Sequence, residues 1–373
     1  MSKAIWHFPR TDLAKQVFGL LAKGPIQAVS LFGPRRTGKT QFLLNDLAPL
    51  AESEGHRVVY ASLWQTLDTP LGILLYEFDR ALREGSFLRR LKSAAGDLSP
   101  KFTLKAPFGA GEVEVDLSDL KGKAPESHLL LLDQYCERLA SDDKPALLLF
   151  DEFQELPRSK GAEALIAALR TSLDKRRDKL SAVFTGSSQV GLRKMFTARQ
   201  APFFRFAQPI DLPKLDDRFV DHQLAALRET SKTRVARDTA LAMFAQCQRN
   251  PMMFQRWLTT LALNPNLSPE AAMEAVSNGM ADEFGFATLW VGLTPTQRLV
   301  ARLLAERVSQ LYGQSGGARL AKLTAETPPT PSAVQSALMS LTRKGVADRS
   351  DEVWTLADPL FEQWVRDRPD SDF

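Results

Sequence analysis

At 373 residues the chain is too long for one ordinary hydrophobic core, and two or three domains are expected. Its 44% hydrophobic and 25% charged residues are those of a globular protein, and no apolar run approaches the ~18 residues of a membrane span. Residues 1–7 lack a secretory apolar stretch, Cys136 and Cys247 fall in helix-like segments, the four histidines are scattered, and the net charge is +4. A cytoplasmic protein without membrane, disulfide framework, zinc site or histidine metal cluster is expected, with nucleic-acid contact permitted but not demanded.

In chain order, residues 11–23 read as an amphipathic helix with Leu13, Val17, Leu20 and Leu21 on one side. An apolar strand at 26–32 leads into Gly33-Pro34-Arg35-Arg36-Thr37-Gly38-Lys39-Thr40, a complete G-x-x-x-x-G-K-[ST] phosphate loop. Gln41 opens the helix that then runs to about residue 54. In such a loop successive backbone N–H groups turn onto a polyphosphate, and the positive end of the following helix faces the same anion. Lys39 is expected at the β- and γ-phosphates and Thr40 at Mg²⁺, so the chain should bind a nucleoside triphosphate.

A strand at 57–62 and a helix from Pro70 through Leu82 continue the alternation of a parallel sheet covered by helices. Between about 100 and 123 the period changes to two around Pro107-Phe108-Gly109-Ala110-Gly111, which predicts an inserted β-hairpin. A Leu-rich helix, 127–139, precedes the apolar run 146–150, which ends in Asp151-Glu152. A buried parallel strand delivers acids to the C-terminal edge of its sheet in this way. Asp151 is the expected partner of the Mg²⁺ on Thr40, and Glu152 is placed to deprotonate the attacking water.

After a helix at 161–173, a further core strand ends in Gly186-Ser187-Ser188. Ser187 is a candidate to position the water or γ-phosphate, its alternative being a helix cap. Arg199 and Arg205 precede the last strand, an edge strand at 207–212 that contains Pro209. Arg205 is the first choice for an arginine reaching a neighbouring subunit's nucleotide, and a surface ion pair is the alternative. The basic run Arg170 to Lys179 is interleaved with Asp174 and Asp178 and reads as a solvated helix face.

From about 214 the strand signal stops. Helices are expected at 218–228, 239–247, 252–263 and 269–280. Asn250-Pro251 is either a helix cap with proline in the first turn or a rigid backbone packing on the nucleoside, with Arg249 and Arg256 as possible γ-phosphate sensors. A third unit follows: a long helix at 297–312, a turn at Gly316-Gly317, helices at 318–323 and 332–344, and a hairpin at 346–356. That order is the layout of a winged helix. From Pro331 onward it holds five basic against eight acidic residues, and of its candidate reading helix only the Arg343-Lys344 end is cationic. A net acidic module is poorly equipped for duplex DNA by itself, and protein contact is at least as good a role.

Together, the phosphate loop, Asp151-Glu152-Phe153-Gln154, Gly186-Ser187-Ser188, Asn250-Pro251 and Asp358-Pro359-Leu360-Phe361-Glu362-Gln363-Trp364 resemble the archaeal-type ATPases, a STAND branch of P-loop ATPases related to AAA+ proteins and origin-recognition initiators. The resemblance implies an α/β P-loop NTPase core at 1–213 with its β-hairpin insertion, an all-α lid at 214–292 over adenine, and a winged-helix domain at 293–373. It further implies ATP rather than GTP. Phe8-Pro9-Arg10-Thr11-Asp12 stands where the family usually has a Gly-Arg-Glu-like element, with Arg10 the candidate adenine contact, and Arg249 replaces a glycine common before the lid Asn-Pro. The expected activity is a Mg²⁺-dependent ATPase switch working with a protein partner or by self-association. A DNA-binding ATPase and a nucleotide-locked scaffold are the alternatives.

Overall fold

Five short runs rich in β-branched and large apolar residues, β1 (Ala28–Phe32), β2 (Arg57–Ser62), β5 (Ala146–Asp151), β6 (Leu180–Thr185) and β7 (Gln208–Asp211), form one sheet in the order β2-β5-β6-β1-β7. The computed structural model describes residues 3–64, 69–84, 86–87, 101–105, 112–116, 126–141, 143–159, 162–186, 189–324, 327–350 and 353–373. Every pairing in the sheet is parallel, so all five strands end at the same edge. β1 and β5 are buried along their whole length, whereas β7, with Pro209, is the mostly exposed edge.

Alternate residues face opposite layers. Val29, Leu31, Val58, Leu147, Leu149 and Val183 pack with Ala14 and Val17 of the helix Thr11–Ala22 and with Leu43 and Leu47 beyond the phosphate loop. On the other face Phe32, Val59, Leu148, Phe150 and Phe184 meet Phe78, Leu132 and Leu169, from the helices Pro70–Arg83, Glu126–Ser141 and Ala162–Lys175. Burying each such side chain contributes about 1.5–3 kcal/mol. The predicted hairpin is present as β3 (Lys101–Lys105) antiparallel to β4 (Glu112–Asp116).

The second half is helical, and cap–proline pairs start most of it. Asn250-Pro251, Ser268-Pro269, Thr294-Pro295, Thr330-Pro331 and Asp358-Pro359 each place a side-chain acceptor on an otherwise unpaired N–H, with proline where no N–H is needed. β8 (Ala347–Ser350) and β9 (Val353–Leu356) form a closing antiparallel hairpin, followed by the helix Pro359–Arg366. One continuous apolar core runs from Leu215 to Val365 and includes Trp257, Trp290, Leu304, Leu338 and Phe361.

Two expectations are corrected here. The helix predicted at 297–312 is Pro295–Ala305, because Arg307 takes the left-handed conformation (φ 56°) and its turn closes with Arg307 N–H to Leu304 O and Val308 N–H to Leu303 O. Gly316 and Gly317 are not a turn; they lie inside the helix Gln314–Leu323. A Cβ on Gly316 would lie 2.4 Å from Leu311 O, so glycine is what lets the helix start against the preceding chain. The helices Phe286–Val291 and Pro359–Arg366 were not expected from the sequence, and Gln189–Thr197 only as the helix that Ser187 would cap in its alternative role.

Candidate functional site

The phosphate loop leaves β1 at Phe32 and folds with Arg36 (φ 63°) and Gly38 (φ 95°) in left-handed conformations, so that the helix begins at Lys39. Thr37 donates its hydroxyl to Pro34 O at 2.8 Å. A Cβ on Gly33 would sit 3.3 Å from Thr37 Oγ1 and from Leu212, which leaves little room for any other residue. Lys39 folds back along the loop and donates Nζ to Gly33 O and Pro34 O, each at 2.7 Å. Lys39 is 5% exposed, and burial brings its pKa down to about 8, against the pull of Glu152 and Asp151.

Asp151, at the end of β5, gathers donors from three neighbouring segments. Its Oδ2 accepts from Thr40 Oγ1 at 2.7 Å and from the Tyr60 hydroxyl at 3.1 Å. Its Oδ1 accepts from the Thr185 hydroxyl and from Glu152 N–H. Burial, reinforced by the Asp151 charge, pushes the Tyr60 phenol pKa up, so Tyr60 remains a donor. Carboxylate and hydroxyl oxygens are the hard ligands Mg²⁺ takes, with the rest of its shell left to phosphate and water, so Thr40 and Asp151 fit that ion.

Glu152 sits in the left-handed region (φ 55°), and Gln154 Nε2 donates to its Oε2 at 2.5 Å and to Glu155 Oε1 at 3.2 Å. A non-glycine residue held there costs on the order of 1–3 kcal/mol, a strain typical of functional turns. Phe153, Phe184, Phe196 and Phe203 pack as a ring cluster behind this turn, with Phe153 and Phe184 centroids 4.5 Å apart. Gly186 lies against Gln154, where a Cβ would fall 2.1 Å from its Oε1. Ser187 and Ser188 lie outside the described residues.

A cavity of about 720 Å³ opens from the loop residues Arg35 to Gln41 and Glu152 to an apolar end. Trp6 and Phe8 wall that end from the N-terminal segment, Leu215 from just before the helix Asp217–Thr230 and Phe219 from its first turn, and Pro251 and Met252 from the start of the helix Pro251–Leu263. Asn250 accepts from Met252 N–H and Met253 N–H, so Asn250-Pro251 caps its helix while Pro251 also lines the cavity. Gln223 and Gln255 both donate to Trp6 O, fixing the N-terminal segment on the lid. Of the residues at this end only Asn250-Pro251, and Phe8 within the segment 8–12, were named from the sequence; the others carry no motif, and apolar spacing could have found them only as core.

The candidate arginines separate. Arg36 reaches out of the loop to Asp358 Oδ2 at 2.5 Å, with its guanidinium 3.6 Å from the centre of the Phe284 ring. Arg10 donates to Thr37 O at 3.3 Å and to Pro213 O at 2.5 Å, tying the loop to the start of the lid. Arg249 (φ 61°) is held by Leu215 O, and Arg256 pairs with Glu283. Arg199 and Arg205 are exposed and do not line the cavity. Arg176, with its side chain only 12% exposed, and the more exposed Lys175 pair with Asp133, and Arg170 packs on Phe206, so the basic run is solvated only in part. Lys344 is spent on Gly292 O and Gln297 Oε1 within its own chain.

No family model matches this sequence, and no curated protein does. Among solved structures, the Walker-type ATPase PABY2304 of Pyrococcus abyssi is similar over 97% of this chain and 99% of that one, with a TM-score of 0.64 at 17% identity. The ORC2 protein of Aeropyrum pernix, solved as ADPNP–ADP complexes, is similar over 98% of this chain and 96% of that one, with a TM-score of 0.57 at 16% identity. Its ADP form gives a TM-score of 0.54 at 18% identity, over 95% of this chain and 90% of that one. The likeness spans the sheet, the helical segment and the closing hairpin unit together.

Proposed function

We propose, from the archaeal-type P-loop ATPase fold that this chain has, that it is a Mg²⁺-dependent ATP-binding and ATP-hydrolysing switch. The observation that carries the reading is the meeting of Lys39, Thr40, Asp151 and Glu152 at one edge of the sheet, with Thr40 2.7 Å from Asp151. Lys39 exchanges the Gly33 and Pro34 carbonyls for the β- and γ-phosphates, while the amides of residues 33–41 wrap the polyphosphate. Thr40 and Asp151 hold the ion, which when bound neutralises phosphate charge. Glu152 takes a proton from the attacking water, Gln154 aims its carboxylate, and Ser187 positions that water.

The switch part rests on Arg36. One side chain of the phosphate loop touches the lid at Phe284 and the closing helix at Asp358, which also caps that helix through Leu360 N–H. A polyphosphate arriving at the loop competes for this guanidinium and so biases the angle between sheet, lid and closing unit. The closing unit then serves as an arm for a protein partner or a second copy of the chain, and exposed Arg205 is available to complete a neighbour's site. The DNA-binding alternative draws less support, since Lys344 is internally paired and the unit from Pro331 onward is net acidic.

ATP turnover per chain, measured over a range of protein concentrations with Glu152→Gln as the blank, tests the proposal. A rate that rises with concentration supports a site completed by Arg205 of a second copy. A flat low rate supports a single-chain switch. No rate above the blank, with ATP still bound, leaves a nucleotide-locked scaffold in its place.

A further inference from the structure

We infer that Asp46 reads the base of the nucleotide, accepting a hydrogen bond from the exocyclic amine of adenine. This rests on the reading of residues 33–41 as a triphosphate site. Aspartate is a poor helix former, yet Asp46 sits within the helical run that follows the phosphate loop, in a π-helical turn spanning Leu43–Leu47. Such turns re-aim a side chain and are frequent at functional sites.

The Asp46 side chain is only 3% exposed and lines the apolar end of the cavity. Its Oδ1 lies 2.8 Å from His7 Nε2, which donates to it when that nitrogen is protonated. Its Oδ2 is buried and has no hydrogen-bond partner among the described residues. Burial lowers the Arg10 pKa, and the nearby Asp46 and Asp216 carboxylates oppose the shift. Asp46 lines a cavity that Trp6, Phe8, Phe219 and Met252 also line, and an unpartnered carboxylate oxygen beside those side chains calls for a flat ligand with a donor on its edge.

The chemistry selects among bases. An ionised carboxylate only accepts hydrogen bonds. Adenine offers an amine at its 6-position, where guanine and hypoxanthine carry an oxygen that the carboxylate repels. A site built to bond one donor rejects the analogue that lacks it, because the buried oxygen then stays unpaired.

Titration calorimetry with ATP, ITP and inorganic tripolyphosphate, on the wild type, Asp46→Asn and Asp46→Ala, tests this. The wild type should prefer ATP to ITP by on the order of tenfold to a hundredfold. Asp46→Asn keeps an acceptor for His7 and can also donate to the ITP oxygen, so its ratio should fall to near unity, as should that of Asp46→Ala. Tripolyphosphate should bind all three proteins alike, which also reports that the variants are folded. An ATP preference that survives in both variants overturns the inference, as does a wild type that binds ATP and ITP equally. A wild type that binds neither ATP nor tripolyphosphate overturns the phosphate-site reading instead.

Discussion

At its phosphate end the cavity is lined by consecutive residues, Arg35 to Gln41, with Glu152 delivered from the end of β5, one strand removed from β1. At its apolar end Trp6, Asp46, Phe219 and Gln255 converge from separate segments, and the Gln255 to Trp6 contact joins positions 249 apart. The first end is made by backbone geometry that a short peptide stretch imposes on itself, through left-handed residues and a helix start. The second exists only because the lid packs on the N-terminal segment. On the proposed reading, the phosphate end recognises a group common to all nucleoside triphosphates, and discrimination among them falls to the end that packing builds.

The sharpest way to break this division is at the phosphate end. Lys39→Ala should weaken ATP and tripolyphosphate together by roughly a hundredfold or more, read by calorimetry, because both lose the one buried cation of the loop. Glu152→Gln should leave affinity near the wild-type value and lower turnover by about 10²–10⁴, measured as phosphate release. At the other end, Trp6→Ala should weaken ATP about tenfold and leave tripolyphosphate unchanged, as expected for one lost ring contact to a base. Equal losses for both ligands would mean that the two ends are one mechanical unit.

Acidity sharpens the same comparison. Lys39 holds its proton up to about 8 in the fold, against 10.5 for an ordinary lysine, because burial penalises its charge. ATP affinity should fall by up to about tenfold per pH unit above that value. The stability of the nucleotide-free chain should move the opposite way. Between these two values the unfolded chain binds the extra proton, so Lys39's contribution to stability increases as pH rises. Calorimetric affinity and thermal melting, followed between pH 7 and 10, check both directions. The smallest effect belongs to the link between loop and closing helix. Asp358→Asn keeps the cap to Leu360 and removes half of the Arg36 ion pair, so it should cost at most about 1 kcal/mol in a denaturant melt. Its informative readout is a smaller ATP-induced change in small-angle scattering.

Helix ends show why some of the fold was readable and some was not. The helix Pro331–Arg343 ends where Gly345 (φ 69°) directs Val346 N–H onto Leu341 O, and a glycine after an amphipathic run announces that stop. Arg307 and Gln248 (φ 52°) do the same with Val308 N–H on Leu303 O and Arg249 N–H on Phe244 O, but an arginine or glutamine in a left-handed turn carries no such signal. Tertiary contacts hold them there: Arg307 pairs with Glu362 at 3.1 Å, and Gln248 Nε2 donates to Gln363 Oε1 at 2.9 Å. The helix end at Ala305 was misjudged for that reason, whereas the starts at Asn250-Pro251, Ser268-Pro269 and Thr330-Pro331 were read to within a residue.

What the chain determined locally was the loop from Gly33 to Thr40, the strand that ends in Asp151-Glu152, and helix starts such as Asn250-Pro251, because each depends on residues within a few positions of one another. Only the tertiary structure decided that Asp46 lines the cavity beside His7, that Tyr60 and Thr185 bond Asp151, and that Arg36 leaves the phosphate loop for Asp358. Those partners lie between 34 and 322 positions apart. Composition and spacing cannot encode such distances; the packing of sheet, lid and closing helix around a shared cavity brings them together.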